Sequence, residues 1–507
     1  MKKFFVFFLA VLLLLPATVF AEQKVASWLT IGGDYQARYD YLYGRSASYF
    51  NLADEAAFFN NYFSTGTPDP SLAAAARASQ RYKQDSLITN RFGLNFAAKP
   101  VRFVNFKARL SMYQVAGSNS ENAVAQNMFF MDRAGTWGGV QGHVPASNYV
   151  NVDYAYFTWF NIDDTPTWFS FGRRPSTDGI PGNLRENVIH TGTGGTPNLL
   201  VNYVFDGFSL GWAPYIEQLP GFFIKACGGQ GFNAGYSNLN NTDFVGLFIA
   251  PYQTSNLQIV LQWDRGINIF DAPPDFQVPT TDTSNVQEFL NPTTNVGNID
   301  WYGAVAEGKT HNLNYFVAGA LSHAMPNGNK AGAFAPFIKQ NLGFVDSNTG
   351  FPLQDSALTA AQLAEVKALE PEMLDGSNHT GWAVYVGARY DIPTWRTKIG
   401  AEFNHGSKDW IGFEPANQDM WTSKLGTRGD VYEVYAIQEL HNTPIDKVGL
   451  AFIRLGYQYY DVKYTGSNNW LGGPVAMNDL TSSVMNSQIF APIRSAQDVY
   501  LTFNVKF

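Results

Sequence analysis

The sequence predicts an all-β chain closed into a transmembrane antiparallel β-barrel of 16 strands, with 18 as the alternative count. Three observations predict it. Stretch after stretch alternates apolar with polar residues, as a strand with one face in oil does. The connections between these stretches are short and long in turn. Beyond the first twenty residues, no apolar run approaches the ~18 residues of a membrane helix. Composition agrees: 45% of residues are apolar, 15% aromatic and only 15% charged, against about 25% charged in ordinary soluble domains.

The first element is a leader. Met1-Lys2-Lys3 is basic, Phe4 to Leu15 is unbroken apolar sequence, and Ala21 is the small residue at a cleavage site. Residues 1–21 therefore read as a secretory signal peptide, too short in its apolar part to anchor. Residues 22–507 are left as a single barrel domain with loop insertions. Losing Lys2 and Lys3 takes the formal charge from −8 to about −10, which argues against nucleic acid as a partner. The lone Cys227 excludes an intramolecular disulfide, a CxxC motif and a lipid-bearing cysteine at the mature N-terminus.

Strands follow along the chain. In TIGGDYQARYDY, Ile31, Gly33, Tyr35, Ala37, Tyr39 and Tyr41 oppose Asp34, Gln36, Arg38 and Asp40; in VNFKARLSMY, Phe106, Ala108 and Leu110 oppose Lys107, Arg109 and Ser111. LNYFVAGAL (313–321), LAFIRLGYQYY (450–460) and the terminal DVYLTFNVKF (498–507) alternate in the same way. Short turns are expected at 97–101, 161–166, 215–220, 251–256, 307–312, 391–394 and 441–446. Long polar segments lie between them, at about 42–85, 115–148, 175–198, 232–242, 268–297, 323–379, 406–428 and 462–495. Seven short turns, eight long loops and both termini on the short-turn side give the even strand number, short periplasmic turns and long external loops of an outer-membrane barrel. Register is hardest to read at 199–232, where strands are short and glycines frequent.

Hydrocarbon leaves an unpaired backbone amide unsatisfied, so such a sheet has to close on itself. Closure predicts Val499 to Phe507 against about Trp28 to Asp40. At this point a resemblance enters. Val505 and the terminal Phe507, on their alternating strand, resemble the assembly signal of Gram-negative outer-membrane barrels. VDYAYFTWFNIDDTPTWFSFGRRPSTDG (152–179) resembles the strand, turn, strand and "GR-P" run of porin-like proteins, and AEFNHGSKDW (401–410) is similar to a segment of uncharacterised porin-like proteins of this length. The resemblance implies recognition by the outer-membrane assembly machinery, lipid and lipopolysaccharide around the barrel, and a monomer or a homotrimer. It implies no catalytic residue.

If the apolar parity faces lipid, the other parity lines the lumen. The basic residues there are Arg38, Arg91, Lys107, Arg109, Arg174, Lys225, Arg389, Arg396, Lys398 and Arg454; the acidic ones are Asp34, Asp40, Asp153, Asp264, Glu402, Glu433 and Glu439. Two readings stand. Either the charges pair across strands, or unpaired cations form a rail for anions, with Arg91 beside Lys107 and Arg109, or Arg389 beside Arg396 and Lys398. A one-residue bulge would reverse the parity of any one strand. The third long loop, with Asp178, Arg185 and Glu186, occupies the position at which porins fold a loop inward. Helical spacing in 356–370 and an alanine-rich run at 71–83 predict two loop helices, placed as external caps.

Three enzyme-like patterns carry little. Gly207-Phe208-Ser209-Leu210-Gly211 fits G-x-S-x-G but continues as strand through Trp212, without the strand-turn-helix a nucleophile elbow needs. Gly229 to Ala234 fits G-x-G-x-x-A with no helix after it. The seven histidines have neither i, i+4 nor zinc-ligand spacing. No cofactor or metal is expected. The expectation is a porin-like channel passing small hydrophilic solutes, with anion preference under the rail reading. The alternatives are a barrel sheathing a periplasmic or electron-transfer partner, and an outer-membrane hydrolase using Ser209.

Overall fold

The structure is a computed structural model. It describes residues 23–507 except 53, 118–144, 146, 178, 189–197, 234–240, 272–293, 333–334, 348–349, 351, 371–375, 415, 442, 444–448, 468–471 and 489–490. The expected signal peptide lies outside the described residues.

Period-two alternation becomes strands β1 (Gln23–Ala26), β2 (Leu29–Ser46), β3 (Arg81–Val101), β4 (Val104–Val115), β5 (Ser147–Phe160), β6 (Thr167–Pro175), β7 (Val204–Trp212), β8 (Phe223–Phe232) and β9 (Thr242–Gln253). The chain continues with β10 (Leu257–Phe270), β11 (Asn295–Thr310), β12 (Leu313–Pro326), β13 (His379–Ile392), β14 (Thr397–Gly406), β15 (Gly429–Glu439), β16 (Leu450–Val462) and β17 (Ile493–Lys506). Each strand from β2 onward pairs antiparallel with the next, and β17 pairs with β2, so 16 strands close a barrel. The short β1 folds back on β2.

The closing seam runs from Ile493 opposite Ser46 to Lys506 opposite Asp34, with Val499 opposite Tyr41. Phe507 completes it, donating to the Gly33 carbonyl at 2.9 Å and accepting from the Gly33 N–H at 2.6 Å. Val499 to Phe507 thus lie against Tyr41 to Gly33, one residue beyond the expected Asp40 at one end and five short of the expected Trp28 at the other. Among the short connections, the expected turn at 97–101 is strand instead. The chain reverses at Arg102 and Phe103, where Phe103 takes a left-handed φ of 65° and makes two residues suffice.

Alternation sorts the wall. Outward residues such as Phe157, Trp159, Leu210, Trp212, Val317, Val434 and Leu455 are exposed; their inward neighbours Thr158, Ser209, Phe316, Glu433 and Arg454 are buried. The result is an apolar outer belt around a polar interior, the arrangement of a barrel with lipid outside. No helix among the described residues is long and apolar enough to cross a membrane.

Among the described residues four α-helices decorate the loops: α1 (Ala56–Thr65), α2 (Gly182–Arg185), α3 (Ala335–Asn341) and α4 (Ala360–Leu369). The helical spacing read at 356–370 is α4, opened by a capping box in which Thr359 and Gln362 cap each other's backbone. The alanine-rich run at 71–83 is not a helix. Its amides are taken by tertiary partners, Ala74 donating to Glu55 and Arg77 exchanging bonds with Tyr49, and β3 begins at Arg81. The first-loop helix is α1 instead.

Leu455 stands mid-strand on β16 and is 54% exposed. Leu455→Arg should lower the unfolding free energy in phospholipid vesicles by about 2–4 kcal/mol, read from urea titration. An unchanged midpoint would put this face in water.

Candidate functional site in the barrel lumen

Inward side chains from β13 to β17 and β2 would leave a wide charged bore if nothing entered it. Two loops do. The third long loop brings α2 across the lumen, and the seventh, residues 407–428, lies inside along nearly its whole length. Trp410, Ile411, Gln418, Asp419, Met420, Trp421, Lys424, Leu425 and Arg428 are each at most 2% exposed. The seventh loop is seated on glycines. A Cβ at Gly44 on β2 would lie 2.3 Å from the Trp421 ring, and one at Gly381 on β13 would lie 2.2 Å from the Asp409–Trp410 backbone.

Between these loops and the wall is a continuous ionic network. Lys424 bridges Glu402 on β14 and Glu433 on β15, and Arg185 binds Asp419 at 2.9 Å and Glu433 at 3.0 Å. Tyr385 donates to Glu402, and Tyr500 to Glu433, each at 2.6 Å. The backbone of α2 and the residues after it are held by wall cations: Arg389 donates to the Leu184 carbonyl at 2.7 Å, Arg454 to that of Arg185 at 2.5 Å, and Lys506 to that of Glu186 at 2.9 Å. Burial pushes the Glu186 carboxyl up, but Arg454, Arg91, Lys506 and Arg185 outweigh it and hold it down at about 2. Toward β7, β9, β10, β11 and β12 the interior carries aromatic and aliphatic clusters. Tyr203, Phe205, Phe244, Trp301 and Phe413 cluster with ring centroids 4.6–6.3 Å apart. Ile180, Leu184, Leu199 and Leu200 of the third loop sit against Phe248, Val260, Val305 and Phe316 of the wall.

The sequence-derived lumen residues are placed as follows. Arg38, Arg91, Lys107, Arg109, Arg174, Lys225, Arg389, Lys398, Glu402, Glu433 and Arg454 alternate inward, as do Asp34, Asp40, Asp264 and Glu439. Asp153 is the extra residue of a bulge in β5 and binds Arg109 at 3.2 Å. Arg396 departs from the expectation: it sits in the β13–β14 turn with φ 53° and is exposed, because the strand ends at Ile392. Of the third-loop candidates, Arg185 and Glu186 are in the network and Asp178 lies outside the described residues.

Neither expected rail of free cations forms. Arg109 reaches across β3 to Asp34 at 2.6 Å, passing over Gly93, and Arg91 lies 3.9 Å from Asp34 and 3.6 Å from Glu186. Arg389 binds Asp391 at 2.7 Å, and Lys398 binds Glu439 at 2.6 Å. Arg38 is held by Asp40 and Asp498. These are the pairs of the other reading. Of the other lumen cations expected from the sequence, Lys107 is exposed on β4, Arg174 is half-buried on β6 with its guanidinium 4.0 Å from the Cys227 sulfur, and Lys225 on β8 donates to the Ser176 carbonyl at 3.0 Å.

Sequence reasoning missed the seventh loop. Its signal was present in DWIGFEPANQDMWTSKL, where Trp410, Ile411, Phe413, Met420, Trp421 and Leu425 are too many large apolar residues for an external loop. Ser209 stands in the middle of β7, paired between Ser170 and Cys227, and the G-x-S-x-G run makes no turn.

Two outcomes follow from the network. Lys424→Met leaves Glu402 and Glu433 buried without their shared cation and should cost about 3–5 kcal/mol, seen as a lower urea midpoint, with recovery when Glu402→Gln and Glu433→Gln are added. Glu186, depressed to about 2 from 4.5, contributes its stability above about pH 4.5 and loses it as pH falls through about 2. The urea midpoint should therefore fall between pH 5 and pH 2, and fall less in Glu186→Gln, which has no carboxylate to lose.

No curated protein matches the chain in sequence. Among solved structures it is similar to OmpT, an outer membrane protein of Vibrio cholerae (10% identity, 96% of this chain and 100% of that one, TM-score 0.41). It is also similar to OprB of Pseudomonas putida (11%, 95% and 94%, TM-score 0.43) and to the anion-selective porin of Comamonas acidovorans (8%, 94% and 99%, TM-score 0.42). The family described as "Protein of unknown function (DUF3373)" matches residues 81–507, most of the barrel, and the chain belongs to that family.

Proposed function

We propose that the protein is a porin-like channel of a Gram-negative outer membrane, passing small hydrophilic solutes passively and preferring anions. The observation that supports this is the asymmetry of the interior. From β9 round to β2 the third and seventh loops fill it, whereas inward residues on β3 to β8, namely Asn95, Lys107, Tyr156, Arg174 and Lys225, keep solvent access. A narrow aqueous path along that side would pass two cations, Lys107 and Arg174, that no described carboxylate neutralises. Cations lining a pore lower the barrier for anions. Lipid and lipopolysaccharide would surround the apolar belt. A sheath for another protein would need an empty bore, and the third and seventh loops occupy it.

Planar-bilayer recording of the purified protein should give stepwise conductance with no added partner. In a potassium chloride gradient the reversal potential should have the sign of chloride preference, and the double variant Lys107→Glu, Arg174→Glu should reverse it. An absence of steps would rule out the channel; cation preference in the unaltered protein would rule out the two-cation path.

A further inference from the structure

Toward the end of the barrel where the long loops begin, the outer wall carries charged side chains, and neighbouring strands match them. Arg173 on β6 binds Asp206 on β7 at 3.3 Å, and Arg265 on β10 binds Asp300 on β11 at 2.6 Å; each couple is directly opposed in the register. Asp430 on β15 and Asp461 on β16 are opposed with like charge, and there Lys463 bridges the two carboxylates.

Another like-charged couple on this rim has no such bridge. Arg45 on β2 stands directly across from Arg81 on β3, and both are exposed. Directly opposed side chains have Cβ atoms about 4.5–5.5 Å apart, and like charges so placed destabilise a sheet. Arg45 donates from Nε to the Ser79 hydroxyl at 2.9 Å, and neither arginine has an ion-pair partner among the described residues. Asp85, farther along β3, faces Lys83 at 3.3 Å instead. Lys83 is opposite Tyr43, on the same outward face, so a third cation flanks the two guanidinium groups. Where the chain supplies Lys463 to two aspartates, the described chain supplies no anion to two arginines, and the counter-charge comes from outside.

The height of the couple indicates its source. Tyr39, Tyr41 and Tyr43 run up the outer face of β2 to Arg45, and the Lys83 ammonium stands 5.6 Å from the centre of the Tyr41 ring. Tyr39 and Tyr41 are exposed, as is Ile88 opposite Tyr39. Tyrosines of this kind mark the boundary between hydrocarbon and headgroups. Arg45 is two residues beyond Tyr43, about 7 Å along the strand, and so at headgroup level. The anion at that level is phosphate, which the planar fork of a guanidinium grips with paired N–H donors. We propose that Arg45 and Arg81, flanked by Lys83, are a docking site for the phosphorylated headgroup of an outer-leaflet lipid. This rests on the outer-membrane reading and assigns a lipid contact to one place on the wall.

Equilibrium binding to the detergent-folded full chain, read by native mass spectrometry, tests it with three probes: diphosphoryl lipid A, the same lipid stripped of phosphate, and inorganic phosphate. The phosphorylated lipid should bind at least about tenfold more tightly than the stripped one. In variants that keep heat-modifiable gel mobility, Arg45→Gln and Arg81→Gln should each remove most of that preference. Arg81→Glu, which gives Arg45 a carboxylate from the opposite strand, should abolish it. Arg265→Gln, at a guanidinium already held by Asp300, should leave it intact. Equal binding of the two lipids, or a preference lost as fully in Arg265→Gln, would overturn the site and leave exchangeable salt ions over the arginines. Inorganic phosphate displacing the lipid at equal concentration would overturn it in favour of free phosphate. Potassium chloride conductance, recorded separately, tests the channel: conductance without phosphate preference removes only the docking site, and preference without conductance removes only the channel.

Discussion

A sheet in hydrocarbon can have no edge, because no water is there to satisfy an unpaired amide. The pairing of β17 with β2 meets that constraint, and the rest of the molecule depends on it. Once the ring is complete, period-two alternation has one meaning along every strand, apolar side chains outward and the remainder inward. The charges along the strands are thereby gathered into one enclosed volume, where they have to find partners or water.

What fills that volume is as closely built as the interior of a soluble protein. One side is aromatic and aliphatic, with Phe413 of the seventh loop among Tyr203, Phe205, Phe244 and Trp301; the other is ionic, with Lys424 and Arg185 shared between carboxylates of loop and wall. The two sides act together. Loop side chains cross-link strands that are not neighbours, which stiffens the cylinder, while wall cations fix the backbone of α2. A lumen arranged this way leaves little room for a wide diffusive pore on the filled side, and selectivity falls to the few inward groups that keep contact with water.

Much of this was legible in the sequence, and the limits are physical. Strand parity was readable because a period of two is local; it held for the described inward residues singled out except Arg396, where the strand stops short, and Asp153, which points inward only because a bulge interrupts β5. The closing seam was readable for the same reason. Pairing of charges was not, because the partners come together through the third dimension: Arg109 meets Asp34 by crossing a whole intervening strand at Gly93, and Glu186 arrives beside Arg91 on a loop. Helix α4 announced itself by its spacing and its cap, whereas alanine content misled at 71–83, where tertiary hydrogen bonds to Glu55 and Tyr49 outweigh intrinsic propensity. The seventh loop was obscured by averaging, its polar residues concealing the apolar ones that hold it inside.

The seat of that loop has a consequence for the order of assembly. Its footholds, Gly44 on β2 and Gly381 on β13, belong to strands far apart in the chain that the pairing of β17 with β2 brings round one loop. An unfinished, open wall offers no such pair of notches at the right separation. The loop can fill both notches together only in the closed cylinder, so its full seating carries the mark of the last joint.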